Sequence, residues 1–76
     1  MPHQFISTEP GRLGGTWFKQ NGRRYCHWRY DAESSTLHAA RGIVTRSRVV
    51  DMNGPLDTLM EELPRLALEL AQSTPH

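Results

Sequence analysis

The dipeptide Asn21-Gly22 sits between two β-prone runs, Thr16 to Gln20 and Arg23 to Tyr30. Asn-Gly in that setting is the strongest short-range hairpin signal, because a type I′ turn requires positive φ at both central residues. The stretch Thr16 to Asp31 also holds five of the six aromatic residues. A two-residue turn at Asn21-Gly22 pairs Gln20 with Arg23, Phe18 with Tyr25 and Trp17 with Cys26. Side chains alternate along a strand, so this register sorts them onto two faces. Trp17, Cys26, Trp28 and Tyr30 share one face, with Lys19 and Arg24 near the tip, and read as core. Thr16, Phe18, Arg23, Tyr25, His27 and Arg29 share the other, where aromatic and basic groups mix.

The segments on either side extend the sheet. Gln4 to Thr8 reads as a short edge strand, and residues 1–3 as loose. Glu9-Pro10-Gly11-Arg12 reads as a type II turn, with Pro10 presetting φ at the second position and Gly11 supplying positive φ at the third. A strand from Leu13 to Gln20 follows, its start weakened by Gly14-Gly15, which mark a bulge or a loop. Asp31 to Ser35 is a polar connection of hairpin length. Thr36 to Met52 reads as one further extended segment. Leu37, Ala39, Ile43, Thr45, Ser47 and Val49 form its core parity, and His38, Arg46 and Arg48 point away. Gly42 reads as a bulge that resets the register.

Asn53-Gly54-Pro55 reads as a helix start, with Pro55 at the first helical position, Asn53 or Gly54 capping and Asp57 complementing the dipole. Leu56, Leu59, Met60, Leu63, Leu66, Ala67 and Leu70 then recur at spacings of three and four, an apolar stripe of helical period. The stripe keeps its phase across Pro64, which predicts one helix kinked there rather than two. Leu59, Leu63 and Leu66 are expected to pack on Trp17 and Trp28. The reading is a single α+β domain over residues 1–76, ordered from about 4 to 72: a three- or four-stranded antiparallel meander with one kinked C-terminal helix on one face. That element order is similar in topology to small sheet-plus-helix DNA readers such as the arm-binding domains of phage integrases.

At 76 residues such a domain has thin stability, since it buries only about 60% of its unfolded surface. Cys26 is the single cysteine, so no internal disulfide forms and a cytoplasmic setting is expected. The opening MPHQFISTEP has no basic region followed by an apolar one, so no signal peptide is expected. No apolar run reaches the roughly 18 residues of a membrane span. The net charge of +1 hides a separation. Residues 1–50 carry eight basic and three acidic groups, a net of +5, and residues 51–76 one basic and five acidic, a net of −4.

His3, Cys26, His27 and His38 lack the paired spacing of a zinc site, and adjacent Cys26 and His27 point to opposite faces, so neither a metal nor a cofactor is expected. Ser34, Ser35 and Ser47 stand in no nucleophile-elbow context, and no Walker loop or dinucleotide fingerprint occurs, so the chain is not expected to be an enzyme. The function expected is nucleic-acid binding. Phe18, Tyr25 and His27 would offer stacking faces, and Arg23, Arg29, Arg46 and Arg48 would meet phosphate. The alternative is a small regulatory protein-interaction module of phage or plasmid type. A homodimer is expected, because one helix covers only one face of the sheet and Phe18 and Tyr25 remain.

Overall fold

A computed structural model describes residues 1–51 and 54–73. Five strands come first: β1 (His3–Glu9), β2 (Arg12–Phe18), β3 (Arg24–Asp31), β4 (Thr36–Arg41) and β5 (Val44–Val49). They pair antiparallel in sequence order, β1-β2-β3-β4-β5. The helix α1 (Leu56–Gln72) closes the chain and lies across β2 to β5, most extensively over β4. The α+β meander with a C-terminal helix is as expected, with five strands rather than three or four.

The extra strand comes from Gly42. Thr36 to Met52 is not one strand, because Gly42 takes φ +63 and turns the chain back so that Arg41 pairs with Val44. Positive φ at the first central position alone is the type II′ pattern of a two-residue hairpin. The turn reverses the parity reading. Leu37 pairs with Arg48 and Ala39 with Arg46, so odd positions of β4 share a face with even positions of β5.

Two further turns depart from the expected register. At the β2–β3 hairpin only Gly22 has positive φ, at +85. The Gly22 N–H donates to the Lys19 carbonyl at 3.0 Å and the Lys19 N–H to the Arg23 carbonyl at 2.7 Å. This is a three-residue loop with its left-handed residue at Gly22, not a type I′ turn. The Asn21 side-chain oxygen instead accepts the Arg23 N–H at 3.0 Å. Trp17 still pairs with Cys26, but Phe18 pairs with Arg24 and Tyr25 is left as a bulge. In β1 the register shifts between Phe5 and Ser7, so the bulge expected at Gly14-Gly15 falls across from them, at Ile6. The Pro10-Gly11 turn is as expected, with Gly11 at φ +86.

The core lies between sheet and helix. Leu13, Cys26, Trp28, Tyr30, Leu37 and Ala39 supply the sheet side, and Leu63, Ala67 and Ala71 the helix side. The seam of the helix is therefore Leu63, Pro64, Ala67 and Ala71, with Leu59 and Leu66 half-buried on its flanks. Alanines at the centre let the helix backbone approach the sheet. The helix runs unbroken through Pro64, whose carbonyl accepts the Trp17 Nε1–H at 2.8 Å. Pro55 caps the helix rather than opening it, and no side chain caps beside it. Asp57 does lie in the first turn. The cap expected of Asn53 lies outside the described residues.

His3 corrects the reading of a loose N-terminus. Its ring packs at 4.8 Å from Phe5, 4.8 Å from Trp17 and 5.9 Å from Trp28, and its Nε2 accepts the Trp28 Nε1–H at 3.1 Å. Among the described residues, no helix is long and apolar enough to cross a membrane.

Candidate functional site

The meander carries the β2–β3 and β4–β5 turns to one end of the sheet, together with the start of β1. The β1–β2 and β3–β4 turns fall at the opposite end. This places Lys19, Arg23 and Arg24 of one hairpin beside Arg41 of the next. The two hairpins touch here, since the Arg41 guanidinium lies 4.9 Å from the centre of the Tyr25 ring. Phe18 is half-buried here, and its N–H donates to the Pro2 carbonyl at 2.9 Å, which brings the N-terminal residues to the same end. No acidic residue lies in these two turns or in the strand ends flanking them. The opposite end carries Glu9, Asp31 and Glu33 beside Arg12.

The sheet face away from the helix is open. Its centre holds His27, Arg29 and His38, with Gly14 and Thr16 as neighbours in register on β2. A groove of about 630 Å³ runs over these residues and over Glu9, Arg12 and Asp31. His38 Nδ1 and Ser47 Oγ lie 2.7 Å apart across the β4–β5 ladder.

The expected binding residues thus separate into three places. Phe18, Arg23 and Tyr25 gather at the hairpin end. His27 and Arg29 lie on the open face, as expected. Arg46 and Arg48 do not join them, because the Gly42 turn swings both to the helix side of β5, where Arg46 Nη1 donates to Ser73 Oγ at 3.3 Å. Nor does Tyr25 form a free stacking platform on the open face. As the bulged residue it leaves the alternation, packs against the core and is covered by Arg41. The sequence reading missed Lys19, Arg24 and Arg41 as part of a shared surface. The signal for Arg41 was Gly42 read as a turn.

Cys26 is not placed as a nucleophile. Cys26 is 2% exposed, and burial pushes its thiol pKa up, opposed in part by a backbone hydrogen bond from Trp17 and by the Arg41 charge. A thiol held protonated is a poor nucleophile. Among the described residues, no three of His, Cys, Asp and Glu converge closely enough to hold a metal ion.

No protein-family model matches the chain, and neither a curated protein nor a solved structure matches it.

Proposed function

We propose that the chain binds nucleic acid through the hairpin end of its sheet, with the phosphate backbone as the primary ligand. The observation that carries this reading is the convergence of Lys19, Arg23, Arg24 and Arg41 on two adjacent turns that carry no acidic residue. Guanidinium groups meet phosphate oxygens in bidentate geometry, and each neutralised phosphate releases counterions. Arg29 stands apart from this cluster on the open face, in a groove that Glu9, Arg12 and Asp31 also line. The aromatic contribution is smaller than the sequence implied, since Phe18 and Tyr25 are half-buried. Phosphate contact rather than base stacking therefore dominates.

Binding to mixed-sequence DNA and RNA, measured against salt concentration, tests this. Affinity should fall steeply with salt and depend little on sequence. Replacing Arg23 or Arg24 with Ala should lower the log–log slope by about 0.7 to 0.9 per lost contact. Failure to bind either polymer at low salt ends this reading.

A homodimeric protein-interaction module is the second reading. It draws on the uncovered sheet face and on a least dimension of only 15 Å, which leaves room for one sheet and one helix. Sedimentation of a species twice the 8.7 kDa chain mass would favour it.

A further inference from the structure

We propose that Ile43, at the apex of the β4–β5 turn, is a wedge that inserts between stacked bases while the surrounding cations hold the phosphates. This rests on the nucleic-acid reading and adds to it a residue that meets the bases.

Ile43 is the most exposed large apolar side chain described, at 101% of its reference area, and Val44 beside it is half exposed at 49%. The position is an unusual one for Ile. Two-residue turns draw Gly, Asn, Asp and Ser, whose side chains or backbones suit the bend. Gly42 already supplies the positive φ that the turn requires, so a small polar residue at 43 would satisfy the fold. Ile43 makes no contribution to the buried core. Single exposed apolar residues are ordinary on a protein surface. This one differs in its setting, projecting from a tight turn directly after Arg41, beside the hairpin that carries Lys19, Arg23 and Arg24.

The combination matches a known physical device. Proteins that deform a duplex insert an apolar side chain, Ile among them, at a base step while basic groups hold the flanking phosphates. β5 is an edge strand, so the turn lies at the margin of the sheet, where strands can meet a groove. A bilayer surface is the other polyanion that a basic, apolar-tipped turn would meet. It is disfavoured because one small side chain anchors weakly, where even a myristoyl chain gives only marginal binding.

The test uses a short mixed-sequence duplex carrying 2-aminopurine, whose fluorescence rises when its base unstacks. The native chain, Ile43→Ser and Arg24→Ala are compared across a salt series. The native chain should raise the fluorescence on binding. Ile43→Ser should bind about tenfold more weakly, keep the native salt slope and leave the fluorescence at its free-duplex level. Arg24→Ala should lower the slope yet still unstack the base once bound. Unchanged unstacking and affinity in Ile43→Ser overturn the wedge and leave the phosphate reading standing. A chain that binds no duplex at low salt overturns both. A parallel arm uses phosphatidylglycerol vesicles. Vesicle binding that disappears in Ile43→Ser, with no duplex binding, assigns the same tip to membranes instead. Because Ile43 lies outside the core, its replacement should leave the thermal melt in place, so lost binding is not lost folding.

Discussion

At the residue scale, His3 shows how one side chain ties the chain start to the core. Its ring occupies the space over Gly15, where a Cβ would come within 2.5 Å of His3 Nε2 and 2.9 Å of the Gln4 carbonyl. Gly15 is therefore required by close packing, although from the sequence it looked like a weakness in the strand. The acceptor role of Nε2 toward Trp28 requires that nitrogen to be unprotonated. Burial lowers the His3 pKa from its ordinary value, so the unfolded chain takes up the proton first as pH falls. The stability that neutral His3 contributes is thus fully present above the unfolded value of about 6.5 and lost as pH drops toward the folded one. Thermal melts of the native chain should decline as pH falls below about 6.5. His3→Gln keeps an acceptor but cannot titrate there, so its melting temperature should vary less over that window. Equal acid sensitivity in the two proteins would place the titrating group elsewhere.

At the element scale, the helix and the turns behaved differently under a sequence reading. The helix was legible because a three-four apolar stripe leaves few alternatives. Leu63 is 0% exposed at its centre, and Leu63→Ala should cost about 2–5 kcal/mol, much of what so small a domain has. Leu66→Ala, on the half-buried flank, should cost less. Denaturant titrations giving the two variants equal midpoints would mean that the seam is misplaced. The turns were harder because strand parity magnifies small errors. Asn21-Gly22 announces a hairpin whether the loop has two residues or three, yet the third residue leaves Tyr25 as a bulge and takes it off its expected face. Gly42-Ile43 carries none of the usual turn dipeptides. Missing it merged β4 with β5 and put Arg46 and Arg48 on the wrong side. The core faces of β3 and β4 survived because Trp17 to Cys26 kept its pairing and Leu37 and Ala39 precede the Gly42 turn.

At the scale of the whole molecule, the charge separation seen along the sequence becomes in part a separation in space, since Arg46 and Arg48 lie on the helix side of β5. Asp57, Glu61, Glu62 and Glu69 are exposed on the helix, and the basic turns gather at one end of the sheet. The far end mixes its charges, because Arg12 pairs in register with Glu9 on β1 and Asp31 on β3. A polyanion approaching such a molecule is repelled by the helix surface and attracted at the hairpin tips. The arrangement predicts oriented binding rather than attraction to net charge, which is only +1. Two arginines of equal charge should then behave unequally. Arg24→Ala removes a cation from a hairpin whose turn and flanking strand ends carry no acid, and should lower the salt slope by about 0.7 to 0.9. Arg12→Ala removes one that shares its end of the sheet with Glu9, Asp31 and Glu33, and should leave the slope within error of the native value. Both side chains are exposed, so neither change should move stability by more than about 0.5 kcal/mol. Salt titrations of the two variants on one mixed-sequence duplex check this. Equal slopes for the two would mean that the chain meets nucleic acid in no preferred orientation, and the hairpin end would lose its claim as the binding surface.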